Sequence, residues 1–461
     1  MCSILFSNKN YKKGDIKLIN YYNQFRGPDG AKKLDVKTPH GNLLFIHNLL
    51  SITGNNVKQP FIQDNIICLY NGEIYNYKDF GNYNSDGECL IDLYKKYGDK
   101  FTTKLDGEFA IVLLDINKDK LIISSDIFKT KPLFYCDSDG MGVSTYGEPL
   151  RKIGHNNVLK FPPNTTRIYK FSTSKIIDEF KVHNFALNQH KNTFDDWIIA
   201  FKKSIKKRTT NTNRDIFLGL SSGYDSGGIV CELLNQNTPF KAYSILGAAH
   251  DDTLSLKNRH NLIKNSKKGS IKVLNRSNQI RLIHRKLLKK HTEDFIWTVK
   301  SSSTLDSFGP HPRNLYSENH NIHDERGAAW LSFICSEAVK NKNQRIYLSG
   351  HGVDEIFSDY GFNGHKFANH SNFGGLFPKD LKDIFPWNSF YNSTMESYLA
   401  KEEYTSGIWG IETRYPYLDK DVVQEFLWLT SELKNKHYKS VLHDYFVKNN
   451  FPFDVGRKVG F

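Results

Sequence analysis

Six cysteines in 461 residues, with no CxxC pair among them, leave neither a zinc framework nor a disulfide scaffold to be read from the spacing. Cys2, Cys68, Cys89, Cys136, Cys231 and Cys335 are scattered, the usage of a reduced, cytoplasmic chain. No apolar run approaches the ~18 residues a membrane span requires, which excludes a membrane as partner. The opening MCSILFSNKN lacks the charged, apolar and small-residue order of a signal peptide. Long polar tracts are missing as well: 39% hydrophobic and 13% aromatic residues describe a globular chain, too long for one core, so two or three domains are expected.

The formal net charge is +14, but it lacks focus. Lysines are spread along the chain, with only short clusters such as those at 202–203 and 206–208. This is not the single basic stripe of a nucleic-acid binder, although it suits an anionic small-molecule substrate.

The chain has two textures. Up to about residue 180, apolar runs at 42–48, 65–70, 109–115, 121–125 and 132–135 are broken by NG, DG and GD turns, with helical patterns only at 16–24 and 88–96. Antiparallel sheets packed face to face with a few helices fit this best, an α+β sandwich. After His183 strands and helices alternate. A helix follows Thr193, with Asp196 in capping-box position; strands are expected at 215–220, 240–246 and 345–349, and helices at 227–235 and 328–340. That is the grammar of an α/β domain with a parallel sheet. The expected division is 2–187 and 188–461. The apolar stripe of the helix over 193–207 serves core packing or, alternatively, a homodimer face.

Two stretches of the second domain carry chemistry. In RDIFLGLSSGYDSGGIV (214–230) a buried strand runs into Ser221, Ser222, Gly223 and Ser226, and then a helix. Small residues after a strand let backbone N–H groups and hydroxyls approach an anion, with the helix N-terminus behind them. Asp225 cannot bind phosphate directly, which points to Mg²⁺ bridging to phosphate oxygens. In RIYLSGHGVDEIFSDYG (345–361) a second strand ends on Ser349, Gly350 and Gly352, with Asp354 following. Two strand-end loops, each supplying one aspartate, describe a nucleotide site with a divalent metal. At the other end of the chain, Cys2 becomes terminal if Met1 is removed. Its α-amine, near neutral around pH 8, can then act as base for its own thiol.

These loops resemble the pyrophosphate loop and the second nucleotide loop of glutamine-hydrolysing asparagine synthetases. WGIETRYPYLD (409–419), HYKSVLHDYF (437–446) and GRKVGF (456–461) extend the resemblance. In the first domain FRGPDG (25–30), HNLLSIT (47–53), CLYNGEIYN (68–76), SDGE (85–88) and LDGEFA (105–110) fall in the order of a class II glutamine amidotransferase domain. The resemblance implies an N-terminal nucleophile (Ntn) hydrolase-like sandwich followed by an ATP-pyrophosphatase domain. By that resemblance Cys2 attacks the glutamine amide, Asn71 and Gly72 form the oxyanion hole, Arg26 anchors the N-terminal strand, and Asp86 pairs with the glutamine α-ammonium. In the second domain it puts Asp225 and Asp354 on Mg²⁺, and Ser221, Ser222, Gly223, Ser226 and Gly350 at the pyrophosphate, with Lys439 and Lys458 neutralising the phosphates. ATP would adenylate a carboxylate, and glutamine-derived ammonia would displace AMP after crossing an apolar, water-poor path between the domains.

The sequence departs from this pattern at defined points. Leu49 stands where relatives carry the arginine that clamps the glutamine α-carboxylate, and leucine offers no such fork. Ser125 and Thr130 replace an arginine and a glycine, and Ser222 replaces the second glycine of the pyrophosphate loop. His351 occupies the position of a glutamate tied to acyl activation, which changes charge and acid–base character near the acceptor. The default acceptor is aspartate; another carboxylate (nucleobase, sugar or peptide), an ammonia-dependent synthetase and a scaffold without turnover are the alternatives. A scaffold has no need of Cys2, Asn71, Asp86, Asp225, Asp354 and Lys458 together.

Overall fold

The computed structural model describes residues 2–38, 41–247, 253–298, 319–368 and 370–456. Alternation of side chains along the first-domain strands builds a layered sandwich. In the strand Gly41–Leu49, Leu43 and Phe45 face one core while Leu44 and Ile46 face another. In Gly107–Asp115, Ala110, Val112 and Leu114 share the first of these cores, and Phe109, Ile111 and Leu113 turn to the opposite side. A period of two with both faces apolar means that both faces are covered. Two six-stranded sheets therefore pack against each other, one containing Ser3–Ser7 between Gly142–Ser144 and Gly41–Leu49, the other centred on Ile66–Ile74, Gly107–Asp115 and Lys120–Ser125. The helix Cys89–Tyr97 covers the outer face of the second sheet through Leu90, Leu93 and Tyr94, and Gly147–Ile153 covers the first through Leu150 and Ile153. This is the expected sandwich.

The expected helix over 16–24 is broken: Ile16–Ile19 and Asn23–Arg26 are separate turns. The strand expected at 132–135 is displaced to Phe134–Cys136.

The second domain has a five-stranded parallel sheet in the spatial order Gly269–Asn275, Phe240–Leu246, Asp215–Gly219, Gln344–Leu348, Glu412–Arg414. The earliest strand in the chain is central, so the connections depart to opposite sides of Asp215–Gly219. The crevice beyond the carboxyl ends of Asp215–Gly219 and Gln344–Leu348 is the switch point where such sheets hold ligands. The helix expected from 227 starts at Tyr224, which places Asp225 and Ser226 in its first turn.

The helix Asp195–Thr209 turns Trp197, Phe201 and Ile205 into the core, the packing use of its stripe. The capping box does not form. Phe194 is the N-cap, and Asp196 pairs with Lys191 at 2.6 Å.

Candidate functional site

Cys2 directly precedes the buried strand Ser3–Ser7, which is paired on both sides within its sheet, and is itself buried. The Leu50 N–H lies 3.5 Å from its Sγ. Burial pushes the thiol up to about 11, so at neutral pH the resting group is S–H and needs a base. The buried Arg26 donates from Nε to the Cys2 carbonyl at 3.2 Å and pairs through Nη2 with Glu403 of the second domain at 2.6 Å. Its geometry is that of an anchor.

Asn71 and Gly72 lie inside the continuous strand Ile66–Ile74, which removes the turn as an explanation of the Asn-Gly pair. The Asn71 side chain is fully buried, and neither its Nδ2 nor its Oδ1 has a hydrogen-bond partner among the described residues. A buried amide without partners costs on the order of 1–3 kcal/mol, an expense that suits a donor waiting for a ligand oxygen. Gly72 has φ +145°, and a Cβ there would meet the Glu108 carbonyl oxygen at 1.9 Å, so no other residue fits.

Asp86 accepts from the Tyr70 hydroxyl at 2.5 Å and the Ile74 N–H at 2.8 Å. Burial raises its carboxyl to about 6, leaving it ionised at neutral pH. Cys2, Leu49, Gly72, Asp86 and Glu412 line one cavity of about 30 Å³, the space of a water or two. Its lining includes three carboxylates (Glu73, Asp86 and Glu412) and no lysine or arginine. Leu49 thus leaves the α-carboxylate of a bound amino acid without a cation on this wall. Leu49→Arg is expected to lower the KM for glutamine about tenfold or more with little change in kcat, measured as glutamate release. An unchanged KM would show that the clamp is supplied elsewhere.

At the switch point a larger cavity, about 340 Å³, is lined by Ser221, Gly223, Asp225, Ser226, Gly350, His351 and Asp354. Gly350 lets the two loops meet: a Cβ there would lie 2.8 Å from the Asp225 Cβ. Ser221 and Ser226 hydroxyls stand 3.2 Å apart, and the Ser221 N–H donates to Ser226 Oγ at 3.1 Å. Ser222 is buried beside them. The Lys439 ammonium sits between the aspartates, 2.6 Å from Asp225 Oδ1 and 3.0 Å from Asp354 Oδ1. The resemblance aims Lys439 at phosphate; here it bridges the two loops, because two carboxylates this close require a cation. Their oxygens already converge on one positive point, and hard oxygen donors of this kind fit Mg²⁺. Lys458 lies outside the described residues.

His351 lines the cavity, but its ring is engaged: Nε2 is 3.2 Å from the Met395 carbonyl and Nδ1 is 3.7 Å from Glu355. Two residues without any motif to mark them belong to this site. Arg259, buried under the first loop, donates through Nη1 to the Ser221 and Gly223 carbonyls at 2.7 and 2.8 Å, and so fixes the peptide planes that carry the Ser222 and Tyr224 N–H groups. Glu402, on the helix Thr394–Gly407, lines the cavity with a buried Oε2 that has no hydrogen-bond partner, and burial raises its carboxyl above the usual range. A polar residue on a long helix gives no sequence signal of this kind.

The groups that join the two centres are ionic. Arg26, Lys131, Glu108, Glu403 and Tyr415 form one buried network, with Lys131 Nζ 3.2 Å from Glu403 and 3.4 Å from Glu108. Glu412 and Arg414 extend it to Glu73 in the smaller cavity. Of these pairs, Arg26–Glu403, Lys131–Glu403 and Glu73–Arg414 cross the domain boundary, so the buried charges there are compensated by partners from both domains.

Residues 1–179 match a family model described as a glutamine amidotransferase domain. The chain is 23% identical over 463 aligned residues to a putative glutamine-hydrolysing asparagine synthetase of Methanocaldococcus jannaschii, covering 91% of this chain and 75% of that protein. It is 24% identical to a probable glutamine-hydrolysing asparagine synthetase of Schizosaccharomyces pombe, covering 89% and 72%, and 24% identical to the Homo sapiens asparagine synthetase, covering 85% and 70%.

Proposed function

The chain belongs with the glutamine-hydrolysing asparagine synthetases, and from that premise we propose a glutamine- and ATP-dependent amidotransferase, with aspartate as the default acceptor. The observation that carries this reading is the pairing of two centres in one chain. One holds the buried Cys2 thiol in a cavity with Gly72 and Asp86, and Gly72 follows Asn71, whose buried amide has no partner among the described residues; the other holds two aspartates on facing strand-end loops at a sheet switch point.

In the first centre Cys2, freed of Met1, loses its proton to its own α-amine and attacks the glutamine side-chain amide. Asn71 Nδ2 and the Gly72 N–H receive the tetrahedral oxygen, and Asp86 holds the α-ammonium. The amide nitrogen leaves as ammonia, and water releases glutamate from the thioester. In the second centre Ser221, Gly223 and Ser226 receive the pyrophosphate while Lys439 and the helix N-terminus meet its growing charge. Mg²⁺ held by Asp225 and Asp354 would screen the phosphates. The acceptor carboxylate takes the adenylyl group, and ammonia then displaces AMP.

Both ring nitrogens of His351 face protein groups, whereas the Glu402 carboxylate, bonded to Ser349, keeps its Oε2 without a hydrogen-bond partner among the described residues. We therefore assign Glu402 as the base that takes the proton from attacking ammonia. Glu402→Gln is expected to slow amide formation about 10²–10⁴-fold, leaving glutamate release and acceptor-dependent pyrophosphate release in place. Amide formation at the parent rate would remove Glu402 from the mechanism.

The test of the whole reading is a coupled assay with ATP, Mg²⁺ and glutamine over a panel of carboxylates, aspartate first. Glutamate, AMP and pyrophosphate should form in equal amounts with one acceptor. Glutamate without pyrophosphate from any member would defeat the synthetase half. Turnover with ammonium but never with glutamine would instead defeat the glutaminase half, the outcome that the missing cation at Leu49 makes the sharpest rival.

A further inference from the structure

Far along the sequence from every motif above, three side chains of different types meet at the end of the first strand. Cys136 ends the strand Phe134–Cys136, Asp139 sits in the following turn, and His155 follows the helix Gly147–Ile153 by two residues. Their ligand atoms, one sulfur, one carboxylate oxygen and one ring nitrogen, all lie within 4.8 Å of one another. Cys136 Sγ is 2.9 Å from Asp139 Oδ1, and His155 Nδ1 is 3.3 Å from the same oxygen. Cys136 is fully buried and His155 is 1% exposed.

We propose that Cys136, Asp139 and His155 form a binding site for one zinc-class divalent cation. Thiolate, imidazole and carboxylate together are the donor set of a borderline-soft metal, with water as fourth ligand. Tetrahedral Zn²⁺ with its usual bond lengths places such ligand atoms roughly 3.4–3.6 Å apart. The Sγ···Oδ1 gap must open by a little over half an ångström, and the Nδ1···Oδ1 gap needs almost no change.

The surroundings orient the ligands without using the metal-facing atoms. His155 Nε2 is fixed by Ser7 Oγ at 2.9 Å, so Nδ1 is the nitrogen left to face the cluster. Asp139 uses its other oxygen, Oδ2, to accept from Lys9 Nζ at 2.7 Å and from the Asn156 N–H at 3.0 Å. Oδ1 alone turns to the thiol. The His155 ring also fills the space over Gly142, where a Cβ would meet Nε2 at 2.5 Å. Binding is balanced by loss of one proton: the thiol hydrogen now directed at Oδ1 leaves, and the ring carries its single proton on Nε2 toward Ser7. Thiolate and carboxylate then neutralise the cation, with the Lys9 ammonium outside on Oδ2. The site would clamp the end of the strand Ser3–Ser7 to the turn and helix beside it, five residues from Cys2.

The test is Zn²⁺ titration of the full chain against a chromophoric chelator, with Co²⁺ spectra as the second readout. Expected are one Zn²⁺ per chain and a thiolate-to-Co²⁺ charge-transfer band. Both should be lost, with affinity down at least about a hundredfold, in Cys136→Ser and His155→Gln but not in Cys2→Ala. Lys9→Met keeps all three ligands and removes the repelling charge, so it should bind Zn²⁺ several-fold tighter. It also keeps the test decisive if a ligand variant fails to fold. Equal affinity in Cys136→Ser, a Co²⁺ spectrum without the sulfur band, or no gain in Lys9→Met would overturn the site.

Discussion

Cys2→Ala is expected to lower glutamate release from glutamine at least about a thousandfold, roughly 4 kcal/mol of barrier, while amide formation from ammonium stays within about twofold. The reason lies in what alanine removes and what it leaves. Attack on an amide needs a nucleophile in line with the oxyanion donors, and the lining of the small cavity offers one thiol, that of Cys2, together with Gly72. The methyl of alanine fits the buried position just before the first strand, and the Arg26 anchor bonds the backbone carbonyl there, so the sandwich and its anchor remain. The second centre, built on the parallel sheet, is untouched. Mass spectrometry of the purified chain should show loss of Met1, because without a free α-amine on Cys2 the thiol, pushed up to about 11 by burial, has no base. Retained glutamate release in Cys2→Ala, or full activity with Met1 in place, would refute the assignment.

The second large effect is expected at the aspartate pair. Asp225→Asn and Asp354→Asn are each expected to lower acceptor-dependent pyrophosphate release about 10²–10³-fold, with glutamate release unchanged. Each substitution keeps shape and deletes one negative charge. Lys439, now shared at 2.6 and 3.0 Å, would lose one of its two carboxylates, and the convergent oxygens that suit a divalent cation would be halved. Because Gly350 seats its loop directly on Asp225, position 225 should be the more sensitive of the two to larger changes, such as Asp225→Glu. Pyrophosphate release at parent rate in both asparagine variants would mean that nucleotide charge is handled elsewhere.

Much of the site was legible because its chemistry is local in sequence. A strand, a run of small residues and a helix start within 214–230 are enough to place a phosphate loop, and strand alternation at 42–48 and 109–115 is enough to place a sandwich. Boundaries were less legible. The helix expected from Gly227 begins at Tyr224, since Gly223 with extended φ and ψ caps it. Thr193 and Asp196 have the spacing of a capping box, yet Lys191 takes Asp196 into an ion pair and the cap passes to Phe194.

The amino-acid sequence by itself pointed to the two fold classes through patterns within some twenty residues, and its resemblance to a known family singled out Cys2, Asp225, Asp354 and the departure at Leu49. Only the tertiary structure decided what meets what. It brings Arg259 beneath the Ser221 loop, sets Lys439 between two aspartates, brings Glu402 to the acceptor cavity and gathers Cys136, Asp139 and His155. It also sets paired charges from both domains at their boundary, Arg26 with Glu403 and Glu73 with Arg414. Such pairings depend on how separate elements dock. A lone polar residue on a helix or turn has no local pattern to announce its partner, since the partner is chosen by packing and by the need to compensate buried charge.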